Sequence, residues 1–260
     1  MKATLLLLFL IVCSLCLGWS FFTHSRIAVA ALESIEPSLL EAISGGLPLP
    51  LFNDWIGLQA SFVDVDRYFV RELVPGHSFR IHNYPGIEGL TMSEILELPG
   101  MSRNALGALI TAFFDVRNLS RSDDFAGTSY AIARLFHFAS DLTMPLHVVN
   151  NNDGQLTGQP GLHVRIESIL GNFFFRSEML LRQGPRIFKD EEIPAVLFES
   201  IRKSMEQSKV FEEADMKRKR DSAYRFAALW GDVKEVFIEA TSRAVYLCAS
   251  LLISAISQPN

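Results

Sequence analysis

Apolar and polar positions along this chain recur at intervals of three and four residues over most of its length, the period of an amphipathic α-helix. The pattern predicts helices over 23–44, 104–118, 126–147, 191–212 and 222–256. The first of these, THSRIAVAALESIEPSLLEAIS, runs into Gly45-Gly46, a pair that stops a helix. Two-residue alternation between hairpin turns is nearly absent, and the stretches 47–100 and 148–162, rich in Gly, Pro and Asn, read as loops. No internal repeat, low-complexity tract or linker interrupts the chain. The expected fold is therefore all-α, a single-domain multi-helix bundle.

The last pattern, VKEVFIEATSRAVYLCASLLISAI, is apolar enough to suggest a membrane anchor. Arg243 in its middle, with Glu235 and Glu239 before it, favours a buried bundle helix instead. The opening segment is different. Residues 1–18, MKATLLLLFLIVCSLCLG, carry one Lys2, a leucine-rich run and small residues at Cys16 and Gly18. The apolar run is about 15 residues, short of the roughly 20 that span a bilayer, so the expectation is a signal peptide cut before Trp19. Export to a periplasm or to the medium follows from it, with residues 19–260 as the functional domain.

Composition changes this picture in two ways. Removing 18 of 260 residues leaves 242, enough for one large core, and takes away Lys2, so the net charge of -5 becomes -6. That balance disfavours a protein that tracks nucleic acid by bulk electrostatics, although it leaves room for a local site. The basic run MKRKRD, 216–221, reads as a solvated loop or helix face. Of the cysteines, Cys13 and Cys16 lie in the leader, leaving Cys248 without a partner for a disulfide. An exported chain without disulfides depends on its core or on bound metal.

Candidate metal chemistry is concentrated in two short stretches. HFASDLTMPLH, 137–147, sets His137 and Asp141 one helical turn apart on one face, and Pro145 ends or kinks that helix so that His147 turns toward a second ion. GLHVRIE repeats the spacing with His163 and Glu167. Either pair alone is more often only a hydrogen-bonded helix pair. Two pairs plus His147 within 31 residues point to metal, because imidazole nitrogen and carboxylate oxygen are zinc ligands and neighbouring zincs suit phosphate ester hydrolysis.

Together with the start WSFFTHSRIAVAALE, these stretches resemble the superfamily of zinc-dependent phospholipases C and zinc-dependent single-strand nucleases, exported helical proteins with three zincs. The resemblance runs from Trp19 to about Glu167 and implies a trinuclear Zn2+ site. Carried over residue by residue, Trp19, through its amine and carbonyl, and His24 would hold one zinc, with Asp141 bridging to a second. That second ion would take Asp64, His137 and a histidine of GHSFRIHNYP, either His77 or His82, with His82 preferred for the apolar Ile81 before it. His147, His163 and Glu167 would hold the third. Asp64, with Asp66 as a competitor two positions on, matches the family's catalytic aspartate, which orients or deprotonates the attacking water.

The two branches share this cage. The Trp-Ser start, Glu167 in place of the nucleases' Asp, the 16-residue interval between His147 and His163 and the HVVNN run resemble the phospholipases C. The five-residue interval from Trp19 to His24 and the Leu162-His163 pair resemble the nucleases. The expected function is a phospholipase C acting on phospholipid at a membrane surface, with single-stranded nucleic acid as the alternative substrate and no stable protein partner implied. The apolar segment LPLPLFNDWIGL, 47–58, suits a lipid interface, a base-stacking surface or packing on the bundle alike. A non-catalytic exported protein stapled by structural zinc is the remaining reading.

Overall fold

The computed structural model describes residues 20–69, 79, 86–218 and 225–257. The segment 1–18 expected to be a signal peptide, Trp19, His77, His82, the side chain of Asp66 and part of the basic run at 216–221 lie outside the described residues. Helices account for the regular structure, and no strand occurs among the described residues. In chain order they are α1 (Phe21–Glu33), α2 (Pro37–Glu41), α3 (Leu49–Phe69), α4 (Met92–Glu97), α5 (Ala105–Leu119) and α6 (Phe125–Thr143). Then come α7, built of Leu162–Val164, a π-helical Arg165–Leu170 and Gly171–Phe173, and the long α8 (Ile193–Arg218) and α9 (Arg225–Ser257). The all-α expectation holds.

Several helix ends follow directly from local chemistry. Asn104 caps α5 by accepting the Leu106 amide at 2.9 Å, and Asp124 caps α6 by accepting that of Gly127 at 2.8 Å. Thr91 and Glu94 form a reciprocal capping box at the start of α4. At its other end α6 stops at Thr143, because Pro145 forces Met144 out of the helical region and has no amide proton to donate. The chain then makes a tight turn, Pro145–His147.

α6 is the spine of the bundle. It packs against α3, α5 and α9 at once, and 14 of its residues are buried, so it presents no solvent face along its second half. α9 packs on α6, α8 and α1. By length and composition α9 could cross a membrane, but 72% of its most apolar stretch is buried against protein. That burial agrees with the expectation of a bundle helix. Lys217 and Arg218 of the basic run pair with Asp232. Cys248, in α9, is a free, buried thiol whose pKa burial pushes up.

Two stretches correct the sequence reading. The segment 47–100, expected to be a loop, contains α3 and α4. Phe52, Ile56, Ala60 and Val63 form a buried helical stripe on α3, and Pro48 and Pro50, which argued against a helix, sit at its N-terminal end where the amide protons have no intrahelical partner anyway. The predicted helix 23–44 is divided, with a break at Ser34–Glu36 and Pro37 starting α2.

Gly107 shows how tightly the bundle is packed. A Cβ there would lie 2.1 Å from the Met101 carbonyl oxygen, whereas one at Gly231 in α9 would meet nothing within 4 Å. Gly107→Ala should therefore destabilise by about 1 to 3 kcal/mol through overpacking. Gly231→Ala should be neutral or stabilise by up to about 1 kcal/mol through helix propensity. Urea unfolding of the two variants checks this, and equal midpoints would refute it.

Candidate metal centre

Five elements deliver side chains to one buried region. α1 contributes His24, α3 Asp64, α6 His137 and Asp141, the turn after Pro145 His147, and α7 His163 and Glu167. All seven are 0 to 5% exposed. His24, His137 and Asp141 form one group and His147, His163 and Glu167 a second, each with ligand atoms within 4.8 Å of one another. These two groups can hold metal ions.

Asp141 stands at the centre. Its Oδ1 lies 3.4 Å from His24 Nε2, and its Oδ2 lies 3.4 Å from both His137 Nε2 and His147 Nδ1. Asp64 Oδ1 is 3.9 Å from His137 Nε2 on the same group's edge. In the second group Glu167 places Oε2 2.7 Å from His163 Nε2 and Oε1 3.1 Å from His147 Nε2, and the two histidines' Nε2 atoms are 3.3 Å apart. Rings of His24 and His137 stack at 4.2 Å, and those of His147 and His163 at 5.0 Å.

Hydrogen bonds on the far side of the rings fix which nitrogen faces inward. His137 Nδ1 donates to the Ala60 carbonyl at 2.9 Å, and His163 Nδ1 donates to the Asn152 carbonyl at 3.1 Å. The Ser140 hydroxyl gives its proton to the His137 carbonyl at 2.8 Å, so at 2.9 Å it accepts from His24 Nδ1. In each neutral ring the proton is thus committed outward and the Nε2 lone pair points at a carboxylate. Lone pair against carboxylate is repulsive unless a cation sits between them. His24 Nε2 and both Glu167 oxygens are accordingly buried without a well-aligned hydrogen bond. Outward hydrogen bonding of the second ring nitrogen is the usual support of a metal-binding histidine.

His147 couples the two groups, since one ring nitrogen faces Asp141 and the other Glu167. In the metal-free protein burial alone would lower its pKa, but the two carboxylates outweigh burial and hold it well above its usual value. Burial would raise Asp141 and Glu167, yet their histidine neighbours prevail and both titrate below the ordinary carboxylate range. The resulting ion pairs supply the positive charge that such carboxylates need when no metal does.

The residues that aim this machinery gave no motif. Asp153 accepts the Gly161 amide through Oδ2 at 2.9 Å and the His163 amide through Oδ1 at 3.1 Å, which closes the loop 148–161 and brings the Asn152 carbonyl to His163. Gly154 is required in that loop: its φ is +72° and a Cβ would lie 2.5 Å from the Gln159 carbonyl. Arg165, on the first residue of the π-helical turn, is locked to buried Asp215 of α8 at 2.7 Å, and Gln159 and Arg225 complete Asp215's contacts. Widened π turns often sit at functional sites, and this one carries Glu167.

Six of the predicted ligands, with Asp64, are therefore brought together, while Trp19, His77 and His82 lie outside the described residues. The chain matches no known family model, and no curated protein matches it.

Two expectations follow. Because the His147 pKa is raised, its contribution to the stability of the metal-free protein is complete below about pH 6.5 and is lost as the pH rises through the folded value. The carboxylate contributions, being from depressed groups, are lost only on acidification. The thermal midpoint of chelator-treated protein should fall from pH 6.5 toward alkaline pH, and zinc should abolish the fall; a flat or rising metal-free midpoint would refute the pairing. Asp141→Asn should lower metal content in both groups, since it removes a ligand of one and the support of His147 in the other. Full metal content by mass spectrometry under native conditions would reject that double role.

Proposed function

We propose that this protein is an exported zinc-dependent phosphodiester hydrolase, a phospholipase C that releases a phosphorylated head group from phospholipid. The observation that carries the reading is one buried carboxylate, Asp141, shared by three histidines and joined through His147 to a second carboxylate group. Asp64, Asp141 and Glu167 are three buried carboxylates, and histidines that are neutral in the loaded state leave them in need of cations. Two adjacent groups of nitrogen and oxygen ligands suit more than one zinc, and the resemblance implies three, with Trp19 and either His77 or, by preference, His82 completing the set.

When bound, zinc supplies Lewis acidity, neutralising charge on phosphoryl oxygens and lowering the pKa of a nearby water toward about 7. The chain's own residues divide the remaining work. Asp141 keeps the two groups in register. Asp64 belongs to neither compact group yet lies beside His137, which suits it to orient the attacking water and take its proton. The outward hydrogen bonds from His24, His137 and His163 keep these groups from reorganising as charge develops at phosphorus. A purely structural metal site would close its coordination with protein ligands; a carboxylate at the edge, with a role beyond ligation, favours a reactive one.

The deciding experiment incubates zinc-loaded protein beginning at Trp19 with phosphatidylcholine vesicles and, separately, with single-stranded DNA, each with a chelator-treated control. Zinc-dependent diacylglycerol and phosphocholine are expected by mass spectrometry. Asp64→Asn should retain most of its zinc and lose about 100-fold or more of the rate, the usual loss on removing a general base. Zinc-dependent nucleotides without lipid products would transfer the same chemistry to nucleic acid, and no hydrolysis of either by metal-replete protein would overturn the enzymatic reading.

A further inference from the structure

Residues 180–189 run without regular structure along α9 and are tied to it by serines. Ser242 Oγ accepts the Leu181 amide at 2.8 Å, Ser250 Oγ that of Arg186 at 3.0 Å and Ser254 Oγ that of Phe188 at 2.8 Å. Positions 242, 246, 250 and 254 follow one line along the helix at four-residue steps, and at the second step the residue is Tyr246 in place of serine. There the series of ties is interrupted, and a cleft of about 720 Å³ lies between this strap, α8 and α9. Its size falls within the roughly 300 to 1,000 Å³ of small-molecule sites.

The cleft has an apolar wall and a mixed polar side, on which Glu199 and Glu239 are already paired with Arg202 and Lys203. Phe188, Val196, Tyr246 and Leu247 supply the wall. Arg243 lies on the polar side, and its Nη2 donates to the Thr143 carbonyl at 3.3 Å, Ser204 Oγ at 2.9 Å and Gln207 Oε1 at 3.0 Å. Its Nε and Nη1 are buried and reach no hydrogen-bond acceptor. Burial lowers the guanidinium pKa to about 10, and Glu239 offsets this only in part. Glu239 itself is occupied by Lys203 and by Gln207 Nε2 at 3.0 Å. A buried guanidinium with two uncommitted nitrogens is a costly arrangement unless an anion completes it. At the rim Arg182 and Arg186, 80% and 61% exposed, are paired with Glu33 and Glu192 respectively, which leaves Arg243 as the cation the argument rests on.

We propose that this cleft binds an amphipathic organic anion, its apolar chain along the wall made by Phe188, Val196 and Tyr246 and its head group against Arg243. A carboxylate and a phosphate monoester share the required chemistry. No residue of the two metal groups lines the cleft, so the site stands whether or not the hydrolase reading does.

Calorimetric titration with decanoate, decyl phosphate and decanol tests it. At least one of the two anions should bind about tenfold or more tightly than the alcohol, as a charge-assisted contact at Arg243 requires, and the better of the two identifies the head group. Ala195 is an exposed lining residue of α8, and Ala195→Trp should block all three ligands while the circular dichroism stays unchanged. Arg243→Met should bring the anions down to the affinity of decanol; if that variant does not fold, the alcohol comparison and Ala195→Trp decide alone. Equal affinity for anions and alcohol, binding that survives Ala195→Trp, or no binding of any of the three would each overturn the proposal.

Discussion

A carboxylate that is 0% exposed has to find positive charge or hydrogen bonds within a few ångströms, and Asp141 is such a carboxylate. It lies near the C-terminal end of the central helix, and its two oxygens face histidines from α1, from its own helix and from the turn that follows. Those elements cannot separate without stranding the charge. The core packing of α6 and the chemistry of the centre are therefore one constraint: the helix that holds the bundle together also holds the ligands. Replacing Asp141 alone would leave His147, whose charge it holds, buried without that partner, so the carboxylate and the histidines around it stand or fall together.

The surrounding hydrogen bonds show the same division of labour at finer scale. Each of His24, His137 and His163 commits its outer nitrogen to a hydroxyl or carbonyl on the bundle framework. Two of those acceptors, Ala60 and Ser140, belong to long helices that the core fixes. The third, Asn152, belongs to a loop, and there rigidity is supplied otherwise, by the two bonds to Asp153, the positive φ of Gly154 and the Asp215–Arg165 contact behind the π turn. His163 and Glu167 thus rest on a scaffold of side-chain bonds, while His24, His137 and Asp141 rest on apolar packing.

This difference explains what the sequence allowed to be read. The helical period is a local property, so the all-α class and the i, i+4 pairs His137–Asp141 and His163–Glu167 were legible, as was the stop at Pro145. α3 was not, because Pro48, Pro50 and Gly57 resemble loop residues. Gly57 is in fact an interhelical contact, where a Cβ would meet Val29 and Ser25 of α1 at 2.9 to 3.0 Å. That His24, Asp141 and His147 converge is a matter of tertiary packing, and no spacing reports it; the resemblance to a zinc enzyme superfamily grouped His24 with Asp141, but the approach of His147 to Asp141 was not anticipated. Asp153 and Asp215 left no signal, since acids that satisfy amides and arginines look like any solvated acids in the chain.

The end of α6 links the candidate metal centre to the rest of the protein. The last carbonyls of a helix lack intrahelical partners, and a cation nearby is favoured by the helix dipole. Here the Thr143 carbonyl receives Arg243 of α9 and the Leu142 carbonyl receives the Ser204 hydroxyl of α8. These bonds fix the direction in which the chain leaves α6, two residues beyond Asp141, and so set where Pro145 turns and where His147 is delivered. Arg243 thus supports the helix end with one nitrogen, while the same residue lines the cleft proposed above. An anion that drew the guanidinium toward the cleft would lengthen its bond to Thr143, already the longest of the three at 3.3 Å, and would loosen the one turn on which the coupling of the two metal groups depends.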